Sequence, residues 1–401
     1  MEKTIGDFFL LFRMLSSKER ESLRIAGNYL DKEHIKDLAN LLKQKKISVS
    51  ELHLPLSKEL FSVSESSQAA SEKCVLFKTE ISDADVATYI ADANSELQKK
   101  YFRKQFASLA AIAPTVFPKL IAPHIIGHEM IKRAVSLQLF ASEPIHILLL
   151  GDPAIGKTDI IRSASEFHPI SSYGLGSGMS GVGLAVTMIG DMIEPGLLPL
   201  ADQGICCIDE LNLLKEESRG SLYNAMEKGF ITYDKKGQHL RLDARVRVLA
   251  TANPLGDKFT GKTIAQLKKQ IPFDDALLSR FHLVFLVKKP DTYQFLKIAD
   301  AILKQKQKIF TKADHDFIKS YVFHAEQLKV TLPEVYHQDI VSFVHDLKKK
   351  EKASLFEISP RLVVGIMRLV QARARMCMRE KVNQEDIVEV KTIIERAMEI
   401  E

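Results

Sequence analysis

The chain has little cysteine: among 401 residues only Cys74, Cys206, Cys207 and Cys377 occur. No two of them stand at the C-x2-C spacing of a zinc ribbon, and so few argue against a disulfide framework or an oxidising compartment. No apolar run approaches the roughly 18 residues of a membrane span. The opening Met1-Glu2-Lys3 does not lead into the charged-then-apolar pattern of a secretory signal. A soluble, intracellular protein without zinc and without a membrane is the expectation. Excess charge of one sign is missing as well, since 56 Lys and Arg against 51 Asp and Glu leave a net charge of +5. That is far below the density of a dedicated nucleic-acid coat. Internal repeats and low-complexity tracts are also lacking. What is present is an ordinary globular composition, 46% hydrophobic and 27% charged, able to bury a core over two or three domains.

Along residues 3–46, Phe8, Phe12, Leu15, Leu23, Leu30, Leu38 and Leu42 recur at helical spacing, which predicts a small helical unit. Residues 62–72, rich in Ser, Ala and Glu, read as a linker. Residues 74–77 read as a short strand, and Ser82 as the N-cap of a helical stretch reaching about Ala113. Apolar runs at 145–150, 205–208, 246–250 and 283–287 alternate with helix-like segments, the pattern of an α/β domain with a mostly parallel sheet. From Thr292 onward the pattern is helical. The expected partition is a helical front at 1–75, a linker at 76–113, an α/β core at 114–290 and an all-α domain at 291–401.

The run at 145–150 leads into Gly151, Asp152, Pro153, Ala154, Ile155, Gly156, Lys157 and Thr158. Asp159 follows, and Ile160, Ile161 and Ala164 continue a helix. Strand, glycine loop and helix together fit G-x4-G-K-[ST], in which backbone N–H groups curl around phosphates, the lysine reaches the β and γ phosphates and the hydroxyl holds Mg²⁺. Downstream, residues 205–208 end in Asp209 and Glu210, two carboxylates at the carboxyl end of a buried strand, where open α/β sheets bind their ligands. Asp209 would join Thr158 in the Mg²⁺ shell, and Glu210 would polarise the attacking water. The strand at 246–250 runs into Thr251, Ala252 and Asn253. That amide can orient a water at the γ phosphate, although Asn before Pro254 is also an ordinary turn signal.

Ten of the 19 glycines fall between Gly151 and Gly204, which suggests adaptable backbone beside the nucleotide, or simply a loop. Ile231, Tyr233, Leu240 and Leu242 alternate around Asp234-Lys235-Lys236-Gly237, which reads as a β-hairpin with a basic tip.

Taken in order, these residues resemble the AAA+ module of the minichromosome maintenance (MCM) family of replicative helicases. Residues 106–140 resemble the family's lead-in, with its Ile-Ala-Pro and Gly-His-Glu elements, and GDPAIGKT resembles its Walker A loop. Residues 194–214 are similar to the Walker B region, 250–254 to the sensor 1 strand and 277–285 to the arginine-finger segment. Residues 359–362 and 368–376 are similar to the sensor 2 helix. The resemblance covers roughly residues 81–400. It implies an AAA+ P-loop core with an α-helical lid, ATP and Mg²⁺ as ligands, and ATP hydrolysis in a ring of identical subunits, a hexamer. It implies that Lys157 and Thr158 bind phosphate and Mg²⁺, that Asp209 and Glu210 form the Walker B pair, and that Asn253 is sensor 1. By the same resemblance Arg280 is an arginine finger and Arg361 is sensor 2, both acting across the subunit interface, and Arg219 is an interface arginine. Lys235, with Lys236 beside it, would meet the DNA backbone in the ring channel. A nuclear or nucleoid-associated cytoplasmic protein is implied.

The sequence also departs from the family. With about 80 residues before the lead-in, Cys74 alone among them and the sequence stopping within the lid, the expectation is a form without the zinc ribbon, the OB-fold barrel and the winged helix. A hairpin inserted after Leu184 is expected to be shortened to about residues 188–194. His282 replaces the usual Asp after Arg-Phe, and Asn212 replaces the second acid of the Walker B segment. Nucleotide chemistry is spared by these changes, while DNA handling is weakened. Two other readings stay open: an AAA+ remodelling ATPase or chaperone of the MoxR type, and an accessory paralogue that binds nucleotide and docks on a protein partner through residues 1–75.

Overall fold

The computed structural model describes residues 61–64, 74–77, 106–178, 181–189, 192–235, 238–256, 258–261, 263–289, 292–304, 312–351 and 357–398. The chain divides into two units, Met1–Leu109 and Ala110–Glu401. In the first, β1 (Phe61–Ser64) and β2 (Cys74–Phe77) pair antiparallel, with Phe61 opposite Phe77 and Ser64 opposite Cys74. The strand expected at 74–77 is therefore present, and its partner takes residues 62–64 out of the stretch read as linker. The helical reading of residues 3–46 lies outside the described residues.

In the second unit the first helical stretch runs to residue 120, past Pro114 and Pro118, each of which lacks the N–H for a helical hydrogen bond. There follow α1 (Glu129–Leu139), β3 (Ile147–Gly151), α2 (Lys157–Phe167), β4 (Ser171–Leu175), α3 (Gly181–Ala185) and the antiparallel pair β5 (Val186–Ile189) and β6 (Met192–Pro195). This short hairpin occupies the place where a shortened insertion is expected. Next come α4 (Leu197–Leu200), β7 (Ile205–Asp209), α5 (Arg219–Lys228), the hairpin of β8 (Phe230–Lys235) and β9 (Gln238–Asp243), and β10 (Arg247–Ala252). The short α6 (Ile264–Lys269) and α7 (Asp275–Leu278) precede β11 (Leu283–Val287). Beyond it lie α8 (Thr292–Lys304), α9 (Lys312–Glu326), α10 (His337–Lys350), α11 (Pro360–Met376) and α12 (Gln384–Met398).

Five strands form one parallel sheet in the order β11-β3-β10-β7-β4. β3, β7, β10 and β11 are buried along their whole length, because a parallel sheet covered on both faces excludes water from every side chain. That is why each reads as an unbroken apolar run. β4, an edge strand of sequence Ser-Ser-Tyr-Gly-Leu, is half exposed and gives no such signal. Leu148, Leu150, Ile208, Val248 and Ala250 pack against Leu222 and Ala225 of α5 and Leu277 of α7.

The C-terminal helices fasten to the sheet rather than standing apart. α11 and α12 pack on α1, and α12 also packs on β11. Tyr321 of α9, fully buried, stacks on Phe117 at 5.6 Å between ring centroids and meets Phe140 edge-on at 5.9 Å. Its hydroxyl donates to the Met376 carbonyl at 2.6 Å. At the start of β10, buried Arg247 donates to the carbonyls of Ala141, Gln203 and Gly204 and pairs with Glu326 of α9. His168 Nε2 accepts from Arg247 at 2.6 Å. Among the described residues no helix is long and apolar enough to cross a membrane.

Candidate functional site

β3 delivers residues 151–156 to the amino end of α2. Gly151 has to be glycine, because β11 passes so close that a β-carbon would lie 2.2 Å from the Val287 carbonyl oxygen. Ala154 and Gly156 turn the loop through positive φ, 62° and 83°. Against Gly156 lies Ile125, 2.9 Å from where a β-carbon would be. Ile125 is itself fixed: Lys132 Nζ donates to its carbonyl at 2.5 Å and to that of Ala122 at 3.1 Å. His128, at positive φ, brings its Nε2 to 3.0 Å from the Ile155 carbonyl. The Gly-His-Glu lead-in thus backs the phosphate loop.

Lys157 is buried, and its ammonium donates to the carbonyls of Gly151 at 2.7 Å and Asp152 at 2.5 Å and to Asn253 Oδ1 at 3.1 Å. Burial pushes its pKa down to about 8, against the opposing pull of Asp152 and Asp209. Asp209, which ends β7, accepts at Oδ1 from Thr158 Oγ1 at 3.2 Å and from Thr251 Oγ1, and at Oδ2 from the Tyr173 hydroxyl at 3.0 Å. Glu210 follows in left-handed backbone, φ 54°, its N–H donating to Thr251 Oγ1 at 3.0 Å. A side chain at Gly176 would collide with the Glu210 carbonyl at 2.2 Å, so this glycine, like Gly151, has a steric reason. Asn253 is seated by its own N–H, which donates to Asn212 Oδ1 at 3.0 Å.

Lys157, Thr158, Asp209, Glu210 and Asn253 are therefore brought together at the carboxyl edge of the sheet. The Asp152 carboxylate accepts from the N–H of Phe259 at 2.8 Å and of Lys289 at 3.1 Å, tying the loop to the segments after β10 and β11. Ala154 is exposed and Pro153 half-buried. Asp159 meets His124 at 3.5 Å. Sequence reasoning missed Tyr173 and Thr251 as partners of Asp209, and it read Asn212 only as a lost acid. Thr251 was legible from its place two residues before Asn253; Tyr173 sits in the polar edge strand, which carries no motif.

Arg280 and Arg361 are not at that edge. β11 runs parallel to β3 with Leu283 opposite Ile147 and Val287 opposite Gly151. Arg280 precedes β11, whereas the phosphate loop follows β3, so five strand residues, about 16 Å, separate them along the sheet. At the amino edge the Arg280 guanidinium donates to Glu227 Oε2 and to the Ala276 carbonyl, both at 2.5 Å, and covers the Tyr223 ring at 4.8 Å. Arg361, at the start of α11, donates to the Ser279 carbonyl at 2.6 Å. Burial and the charge of Arg280 lower its pKa. Arg219 lies over the Phe273 ring at 5.4 Å.

His282 is also at the amino edge. Its Nδ1 accepts from the His146 N–H at 3.0 Å, its own N–H donates to the His146 carbonyl at 2.9 Å, and His146 Nδ1 accepts from the Val248 N–H at 3.1 Å. Burial pushes the pKa of His146 down to about 3 and that of His282 to about 2. Gly365 of α11 packs on the His282 ring, where a β-carbon would come within 3.1 Å. A neutral ring under a glycine is what stands where an acid is usual. Lys235 ends β8 opposite Gln238; its side chain and all of Lys236 lie outside the described residues.

A parallel five-stranded sheet with a phosphate loop after β3, an acidic pair after β7, an asparagine after β10 and packed helices beyond β11 defines a P-loop protein of the AAA+ class with its lid. The chain belongs to the MCM family: the family model described as the MCM P-loop domain matches residues 104–306, and that of the MCM AAA-lid domain matches residues 316–398. It is 32% identical to the DNA replication licensing factor mcm7 of Xenopus tropicalis, over 69% of this chain and 42% of that protein. It is 31% identical to the minichromosome maintenance protein MCM of Saccharolobus solfataricus, over 66% of this chain and 42% of that protein. To the probable DNA helicase MCM8 of Oryza sativa subsp. indica it is 28% identical, over 69% of this chain and 43% of that protein. The chain thus spans about two-fifths of the length of the curated relatives it matches.

Proposed function

We propose that this chain is an ATP-hydrolysing, ring-forming motor that binds DNA and moves along or unwinds it. The observation that carries the reading is the division of the catalytic set between the two edges of one sheet. Lys157, Thr158, Asp209, Glu210 and Asn253 converge at the carboxyl edge, while Arg280 and Arg361 stand at the amino edge of the same chain. An arginine that stabilises phosphoryl transfer has to reach the γ phosphate. From the amino edge it can do so only on a neighbouring subunit, and head-to-tail contacts of that kind close into a ring where the rotation between subunits permits; a hexameric ring is the proposed form.

Within each site the glycine-loop N–H groups and Lys157 cradle the phosphates, Glu210 orients and polarises the attacking water, and Asn253 aligns it. Thr158 and Asp209 offer converging hydroxyl and carboxylate oxygens, a donor set suited to Mg²⁺. Held there, the ion would supply neutralisation of the negative charge on the transferring phosphoryl group. Lys235 and Lys236 at the hairpin tip would meet DNA through phosphate charge and read no sequence. The front, residues 1–75, is proposed to take up a protein partner, with 114–290 as motor core and 291–401 as lid. A nuclear or nucleoid location fits DNA as substrate.

The test is ATP turnover with and without single-stranded DNA, alongside a mass measurement in ATP. Glu210→Gln should abolish turnover while ATP still binds; wild-type turnover in that variant would remove Glu210 from the chemistry. If Lys235→Ala leaves DNA affinity and DNA stimulation untouched, the motor reading fails in favour of a protein-remodelling ATPase.

A further inference from the structure

Arg219, Tyr223 and Glu227 follow one another at intervals of four in α5 and so share one face of that helix. Arg280 lies along this face. Its guanidinium covers the Tyr223 ring, one terminal nitrogen donates to Glu227 and the other to the Ala276 carbonyl. Two anchors in different directions fix the plane of an arginine fork, which a single contact would leave free to rotate. The third nitrogen, Nε, is buried and has no hydrogen-bond partner among the described residues. The Tyr223 hydroxyl is in turn held by Asp274 Oδ1 at 3.4 Å. Beside this assembly stands Arg361, bonded to Ser279 one residue before Arg280. Two guanidinium groups at one edge repel, and Glu227 is the carboxylate that faces both, its pKa lowered chiefly by the bond to Arg280 and further by the charge of Arg361.

We propose that Glu227 is a positioning residue for the arginine finger: it fixes the plane in which Arg280 is presented to the neighbouring subunit's nucleotide and keeps Arg280 and Arg361 together at one edge. The inference rests on the reading of Arg280 as a finger acting in trans. The Glu227 side chain is about half exposed, so solvent screens the pair and makes it too weak to withhold the arginine from a phosphate. What it supplies is orientation. Glu227 has no part in binding its own chain's nucleotide, since Lys157 and Glu210 are at the other edge.

The full chain tests this by subunit mixing. Glu227→Ala should lower kcat for ATP by about 10- to 100-fold, the scale of a misplaced catalytic group, with KM within about twofold and an unchanged melting temperature. Glu227→Gln, which keeps an acceptor for Arg280, should retain more activity than Glu227→Ala. Mixing Glu227→Ala with Lys157→Ala subunits should restore turnover, as should mixing Arg280→Ala with Lys157→Ala, because each mixture reunites an intact phosphate loop with an intact finger. Rescue of the Arg280 mixture combined with wild-type kcat in Glu227→Ala, or with no rescue of the Glu227 mixture, overturns the role of Glu227. Absence of rescue in both mixtures overturns the trans reading itself.

Discussion

The two edges of one parallel sheet are built on different rules. At the carboxyl edge, polar groups close upon one another: Lys157 has three acceptors and both oxygens of Asp209 accept hydroxyls. At the amino edge Arg280 pairs with a half-exposed glutamate, Arg361 bonds a carbonyl, and among the described residues the buried Arg280 Nε has no hydrogen-bond partner. Beside them two histidines are held neutral. The first edge is complete within one chain, preorganised by hydrogen bonds that need no partner molecule. At the second, among the described residues, the guanidinium of Arg280 has one carboxylate partner, Glu227, and that of Arg361 is bonded to a carbonyl. Damage at the first should therefore be felt in the damaged subunit, and damage at the second in the next one.

Stripping one cation from each edge should separate their roles most sharply. Lys157→Ala should remove nucleotide binding and, with it, turnover by about a thousandfold or more. Arg280→Ala should leave nucleotide affinity within about twofold and still reduce turnover by about a thousandfold. Equal losses of binding in both variants, measured by nucleotide titration, would mean that the edges do not divide the work.

Acid should next distinguish them. His146 and His282 have folded pKa values of about 3 and 2, below the roughly 6.5 of an unfolded chain. The unfolded state thus binds more protons below pH 6.5, so stability is full above that pH and is lost as pH falls. Each ring contributes a slope of up to about 1.4 kcal/mol per pH unit. Denaturant titrations between pH 6.5 and 5 should show it, and His282→Asn, which keeps an acceptor for the His146 N–H, should flatten the slope by about one proton. An unchanged slope in that variant would show that His282 is not neutral in the fold.

The smallest effect belongs to the carboxyl edge. Lys157 has a pKa of about 8 in the free chain, and phosphate favours its charged form. Above pH 8 binding must take up a proton, so nucleotide Kd should rise by up to about tenfold per pH unit. Calorimetry in two buffers of different ionisation heat should record that uptake at pH 9. Equal heats in both would place the lysine's titration elsewhere.

Much of the carboxyl edge was legible in the sequence, because its chemistry is consecutive: 151–158 is one loop, and Asp209 with Glu210 ends one strand. Four of the five sheet strands announced themselves as apolar runs, since burial on both faces demands it. β4 did not, because an edge strand half in water needs no apolar run, and Tyr173 was lost with it. Glu227 was illegible for another reason. It is an ordinary glutamate near the end of a helix, and only the fold brings residue 280 across to it. The role of Asn212 was likewise hidden, since its partner is a backbone N–H forty-one residues away.

The contact between Arg247 and Glu326 bears on how the molecule can be cut. The two family regions end and resume at 306 and 316, as though they were separable pieces. Yet a buried arginine at the foot of the sheet has its carboxylate on α9, and Tyr321 fills the space between Phe117 and Phe140. Removing one partner of a buried ion pair costs about 3–5 kcal/mol, a large share of the roughly 5–15 kcal/mol that holds a typical domain folded. A chain ending after α8 would carry that deficit together with an open aromatic slot. Sheet and helical bundle should thus melt as one body, and a substitution at either partner should lower the yield of both.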